Sequence, residues 1–178
     1  MWGATAAVTK DDRGREGLFY DRLAPQLLCR TPRLLSREPG RIYLERLPTP
    51  RPLDAWTPAD LLSGARMLAL VHGRFWGLSA LAEEHTWLPL DALPRSRPVA
   101  LCHGDFGPGH LHMAEDGTKW VISWGRCHLG DPRSELSAYA RRAARVVPRV
   151  TVDAIVASYL DVLRDRLDID VDPSVFRL

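Results

Sequence analysis

A chain of 178 residues has room for one domain, or for one domain and part of another. Apolar residues make up 46% and charged residues 26%, which excludes a disordered chain, and the nearly balanced signs behind a net charge of +2 argue against a dedicated nucleic-acid binder. No apolar run is long enough to span a membrane, so no membrane partner is expected. The three cysteines, Cys29, Cys102 and Cys127, are odd in number and lack C-x-x-C spacing, as expected of free thiols in a reducing, cytoplasmic setting. The N-terminus lacks the basic-then-apolar layout of a signal peptide.

In chain order, residues 3–10 predict a short strand ending at Lys10, and a helix is expected from near Arg15 until Thr31-Pro32 breaks it. Leu18, Phe19, Leu23 and Leu27 would share its inner face. Arg33 to Ser36 and Arg41 to Leu47 read as two strands around Glu38-Pro39-Gly40. Leu47 to Pro52 holds three prolines, which fix φ and remove donors, and predicts a stiff linker between residues 1–50 and 51–178. Thr57-Pro58-Ala59-Asp60 is a helix start, with an N-cap, a proline and an acid, for a helix reaching about Trp76. Leu78 to Glu84 adds a short helix, and Trp87 to Arg97 reads as loop. Beyond the central strands, helices are expected from Pro132 to about Val147 and from Val150 to Leu167. Arg141, Arg142, Arg145 and Arg149 form a basic stripe, read as a solvated face or, alternatively, as a contact for an anion. Asp172-Pro173-Ser174 announces a further helix five residues before the last residue, a pattern expected of a truncated chain.

The chemistry concentrates in Leu101 to His110. An apolar run there leads into His103-Gly104-Asp105 and a Gly/Pro-rich loop, which presents one carboxylate at the end of a buried strand. Asp116-Gly117 predicts a two-residue hairpin turn before a second strand, Lys119 to Trp124, which brings Ser123 towards the Asp105 loop. Phosphoryl transfer needs a carboxylate to accept the hydroxyl proton, oxygen ligands for a metal and a lysine on the nucleotide phosphates. That demand matches an acid followed five residues later by a polar residue and then by a hairpin.

These residues resemble the aminoglycoside phosphotransferase and choline kinase-like family, relatives of the protein kinases. The family's catalytic loop reads H-G-D-x-x-x-x-N, and this chain has His103-Gly104-Asp105 with His110 at the final position. The family's metal strand reads I-D-W, matched by Ile122-Ser123-Trp124, and its G-D-P-x-x-D-L-A is matched by Gly130-Asp131-Pro132 through Ser137, with Glu135 at the second acid. His72-Gly73-Arg74-Phe75-Trp76 is similar to the family's H-x-x-F-W helix end, and the resemblance runs from about residue 6 to 165. It implies an α+β, protein-kinase-like fold: a reduced N-terminal β lobe, then a mainly helical lobe carrying the catalytic hairpin. It also implies ATP and Mg2+ as cofactors and a small-molecule hydroxyl as acceptor. Asp105 would be the catalytic base, Lys10 the phosphate contact, Glu16 its helix partner, and His103 and Asp131 structural, Asp131 accepting backbone hydrogen bonds around the loop.

Two departures bear on activity. His110 and Ser123 stand at the metal-ligand positions, and the exchange removes one negative charge and one oxygen ligand from a site for a hard cation. The nucleotide-covering hairpin and part of the acceptor wall are also expected to be missing. Two readings follow: an ATP-dependent small-molecule kinase, or a degenerate, non-catalytic relative that binds a ligand or a partner. A third is a zinc module built from Cys102, His103, His110, His112, Cys127 and His128, since thiolate and imidazole suit zinc.

Overall fold

The computed structural model describes residues 7–12, 14–78, 80–93 and 98–172. The chain opens with β1 (Ala7–Asp11), followed by α1 (Arg15–Arg22), β2 (Leu34–Glu38) and β3 (Arg41–Glu45). The three strands form one antiparallel sheet in the order β1-β3-β2, with Lys10 opposite Ile42. The helix is shorter than its periodicity predicts. Pro25 takes part in a 3-10 turn at Ala24–Gln26, so Leu27 lies outside the helix, while Phe19 and Leu23 are buried as expected. The proline-rich stretch is irregular, and Arg51 N–H donates to the Met113 carbonyl at 2.7 Å, tying it to the central hairpin.

The next helix, α2 (Pro58–Arg74), starts as the sequence dictates. Thr57 and Asp60 close a capping box, with the Asp60 carboxylate 2.9 Å from Thr57 N–H. A one-turn helix, α3 (Leu81–Glu84), precedes β4 (Ala100–Cys102). A 3-10 turn at Pro108–His110 leads into β5 (Leu111–Met113) and β6 (Lys119–Val121). Their loop has three residues, Glu115, Asp116 and Gly117, rather than two: Ala114 N–H donates to Thr118 O, and Gly117 takes the left-handed conformation at φ 83°. The strand ends at Val121, short of the expected Trp124, and Ser123 is itself left-handed at φ 68°. The last elements are β7 (His128–Gly130), paired antiparallel with β4, then α4 (Pro132–Val146) and α5 (Val152–Leu167). The helix announced at Pro173 lies outside the described residues.

Gly64 permits the close approach of α2 and α4. A Cβ there would fall on the Tyr139 hydroxyl, which donates to the Leu61 carbonyl at 2.6 Å. A run of buried rings then crosses the molecule from α1 to α4. Phe19 stacks on Trp124 at 4.0 Å, Trp124 meets His103 at 4.6 Å, His103 meets Phe106 at 5.9 Å, and Phe106 meets Tyr139 at 5.1 Å. The Asp105 loop is thus seated by aromatic packing on both sides. Among the described residues, no helix is long and apolar enough to cross a membrane.

Candidate active site

The loop after β4 is held by Glu135, from the first turn of α4. Its carboxylate accepts the backbone N–H of His103 at 2.9 Å and of Gly104 at 2.7 Å, and it lies 3.0 Å from His72 Nε2. Burial works to raise the Glu135 pKa, but the hydrogen bonds from His72 and from the His103 backbone N–H, with the electrostatic attraction of the two imidazoles, outweigh it and hold the carboxyl at about 2. An ionised carboxylate only accepts, so His72 Nε2 carries a proton. In the neutral ring Nδ1 then accepts from the Tyr159 hydroxyl, 2.8 Å away.

Three helices therefore meet on one buried polar chain that fixes the loop. The motifs lead to the expectation that Asp131 accepts backbone hydrogen bonds around the loop. Asp131 caps α4 through Arg133 N–H at 3.0 Å and pairs with the Arg133 guanidinium at 2.8 Å, while the loop amides of His103 and Gly104 go to Glu135.

His103 is buried within the loop. Its Nδ1 accepts Asp105 N–H at 3.2 Å, so Nε2–H donates to the Ile122 carbonyl at 2.8 Å, and burial lowers its pKa and keeps the ring neutral. Gly104 has φ 86°, and a Cβ there would strike the Arg126 carbonyl, so only glycine fits. The Asp105 carboxylate is paired with Arg142 Nη1 at 2.7 Å and Arg126 Nη1 at 3.6 Å, and Arg142 also donates to the Phe106 carbonyl at 3.0 Å. Arg142 belongs to the stripe that the sequence offers as a solvated face. Helical periodicity placed it outward, and only the fold shows that the loop lies against it.

Lys10 and Glu16 do come together. Lys10 Nζ lies 2.7 Å from the Glu16 carboxylate, which also accepts Trp124 N–H at 3.0 Å and so ties α1 to the residue after Ser123. Both line a cleft of about 500 Å³ whose wall includes Val8, Leu44, Pro48, Ile122 and Ser123. Tyr20, also in that wall, has a buried hydroxyl near the Ser123 backbone that completes no hydrogen bond of good geometry among the described residues. Asp105 opens instead on a separate cavity of about 230 Å³, beside Cys102, His128, Ser134 and Arg142. His110 is turned back on its own loop, its Nδ1–H donating to the Asp105 carbonyl at 2.6 Å.

These donors do not make a magnesium site. Magnesium demands near-octahedral oxygen coordination, usually with one or two carboxylates. Ser123 offers a neutral hydroxyl, His110 a nitrogen, and the nearby Asp105 carboxylate already has two guanidinium partners. Nor does the zinc set assemble. His112 Nε2 donates to the Pro48 carbonyl at 2.7 Å, His128 faces Asp91, and burial pushes the Cys127 thiol up to about 12. Among the described residues, the donors within metal-bridging reach of one another are those of His72, Cys102 and Glu135. Of these only Cys102 belongs to the expected set, and His72 and Glu135 bond each other.

Residues 44–169 match the model of a family described as the phosphotransferase enzyme family. The chain belongs to that family. Solved structures agree on the fold. A type VIII aminoglycoside-3'-phosphotransferase is 19% identical, with a TM-score of 0.58 over 96% of this chain and 81% of that one. The macrolide 2'-phosphotransferase MphH from Brachybacterium faecium is 14% identical, with a TM-score of 0.63 over 96% and 72%. The choline kinase LicA from Streptococcus pneumoniae is 14% identical, with a TM-score of 0.58 over 86% and 66%. No curated protein matches the sequence. The kinase-like, mixed α and β fold expected from the motifs is therefore established, and with it a phosphotransferase ancestry.

Proposed function

We propose that this phosphotransferase-family chain binds a nucleotide in the 500 Å³ cleft and does not transfer phosphate. The observation that carries this reading is the state of Asp105, whose carboxylate is covered by Arg142 at 2.7 Å while the two metal positions hold His110 and Ser123. A general base must reach the proton it takes, and a guanidinium at hydrogen-bond distance competes for the same lone pairs. In this reading residues 1–50 and 51–178 act as the two lobes around the cleft. Lys10, held by Glu16, faces the ligand's polar end, and Val8, Leu44 and Ile122 flank its apolar part. His103 and Asp131 keep the loop and α4 in place. An amicoumacin kinase of the same fold, 12% identical with a TM-score of 0.58, was solved with AMP-PNP and calcium, which supports a nucleotide as the ligand.

A working ATP-dependent kinase for a small-molecule hydroxyl is the second reading, favoured by the intact Lys10–Glu16 pair. One set of measurements separates the two. The purified chain is expected to gain thermal stability with ATP, to lose that gain in Lys10→Met, and to show no magnesium-dependent ATP turnover. Turnover that disappears in Asp105→Asn would establish the second reading, and no nucleotide shift under any condition would sink both.

A further inference from the structure

We infer that the cleft takes a nucleoside monophosphate without a divalent metal, in place of a metal-bound triphosphate; this rests on the reading of the cleft as a nucleotide site. The charges of the wall decide it. Lys10 is paired at 2.7 Å with Glu16, and Glu45 receives Arg33 N–H at 3.1 Å with the Arg33 guanidinium at 3.9 Å, so both pairs are internally neutral. Arg46, also in the wall, is exposed on the segment after β3. The two guanidiniums near the catalytic loop, Arg126 and Arg142, are committed to Asp105, and Asp105 faces the other cavity.

The polar end of the cleft therefore offers the remaining Lys10 N–H groups and the Ser123 hydroxyl, donors enough for one phosphate group. A phosphate monoester carries about −1.5 to −2 at pH 7. Each further phosphoryl group adds charge beside the Glu16 carboxylate, where the other cation of the described wall is Arg46, exposed to solvent and so screened. In a metal-bearing kinase that charge is met by magnesium. Here the donors for magnesium are a hydroxyl and an imidazole, so the triphosphate's added charge is left to the screened Arg46. The backbone nevertheless keeps a conformation that an acid tolerates. Ser123 sits at φ 68°, in the left-handed region that Asp and Asn occupy more readily than other non-glycine residues. Ser123→Asp thus adds a carboxylate to the cleft wall without opposing its local geometry.

The test is calorimetric titration of the full chain with adenosine, AMP and ATP, each with and without magnesium. AMP is expected to bind at least about tenfold more tightly than ATP, a difference of roughly 1.4 kcal/mol. Magnesium should change the AMP affinity by less than about twofold, and Lys10→Met should weaken AMP by about tenfold while leaving adenosine nearly unchanged, as expected for one charge-assisted contact. In Ser123→Asp, magnesium should strengthen ATP binding, which it does not do in the parent chain. Tighter binding of magnesium-ATP than of AMP by the parent chain overturns the inference and leaves the cleft a nucleotide site. Equal binding of adenosine and AMP overturns the phosphate part alone. Failure of all three to bind overturns the inference together with the nucleotide reading.

Discussion

Replacing Glu135 by Gln removes the charge that anchors the Asp105 loop while keeping the side chain's size. The carboxylate accepts three hydrogen bonds, from His103 N–H, Gly104 N–H and His72 Nε2–H. A glutamine has one carbonyl oxygen. If that oxygen replaces the one facing His103 and His72, the amide nitrogen points at Gly104 N–H; turned the other way, it points at His103 N–H. Either orientation leaves at least one buried donor without an acceptor, at about 1–3 kcal/mol. The bonds that survive drop from charge-assisted to neutral strength, roughly 1 kcal/mol each. The sum is about 3–5 kcal/mol, a large fraction of the roughly 5–15 kcal/mol that holds a typical domain together. Urea unfolding at pH 7, followed by tryptophan fluorescence, measures it directly, since Trp124 is buried in the ring stack beside the loop. Should Glu135→Gln fail to fold, hydrogen exchange on the parent chain replaces it. The His103 and Gly104 amides should then exchange only through global unfolding. A loss below about 1 kcal/mol, or fast exchange of those two amides, would refute the reasoning.

Acid should destabilise the fold in two stages with the same sign. His103 has a folded pKa below its ordinary 6.5, so its contribution is present above that pH and is lost as pH falls below it. Glu135, lowered from 4.5 to about 2, contributes above pH 4.5 and loses that contribution as pH falls towards 2, on the order of 3 kcal/mol. Melting temperature against pH should fall from near 6.5 downward and steepen below 4.5; a flat profile between 4.5 and 2 would contradict the Glu135 assignment. Gly64→Ala gains about 1 kcal/mol of helix propensity but drives a methyl into the Tyr139 hydroxyl and to 2.7 Å from Leu111, so the net effect should be a loss of about 1–2 kcal/mol in denaturant unfolding. A stabilised variant would mean that α2 and α4 can separate freely.

The motifs gave the family and the kinase-like fold because they are local: a His-Gly-Asp after an apolar run, a capping box at Thr57, a proline behind Asp131. The same locality explains the misses. Periodicity extends the helix after β1 to Leu27 because it does not register that Pro25, although tolerated in a first turn, interrupts a later one. Asp-Gly signals two-residue and three-residue hairpin loops alike, and the Ala114–Thr118 pairing that separates them is a tertiary fact. Asp131 and Glu135, two acids four residues apart at the start of α4, are not told apart by the sequence, and it is the distance to the His103 and Gly104 amides that assigns those two bonds to Glu135. Arg142 was hidden for a related reason. A helix wheel shows which way a residue points, not what another segment brings to meet it.

Asp105 and Ser123 open on different cavities, and in the proposed reading that separation bears on how the replaced metal positions and the covered carboxylate are related. The Asp105 carboxylate is about a quarter exposed, and a charge so placed is stabilised by a counter-charge. Two guanidiniums supply it, one from α4 and one from the segment after Trp124. Arg142 is also fixed by the Phe106 carbonyl, and its stem packs 3.0 Å from where a Cβ on Gly107 would stand, so loop and guanidinium are fitted to each other. Restoring an acid at Ser123 would therefore add a ligand on the nucleotide side without uncovering Asp105, and truncating Arg142 would uncover Asp105 without adding a ligand. In the proposed reading, metal grip and base access are separate deficits at two cavities, and Ser123→Asp and Arg142→Ala are each expected to leave magnesium-dependent ATP turnover absent, so turnover in either single variant would refute that reading.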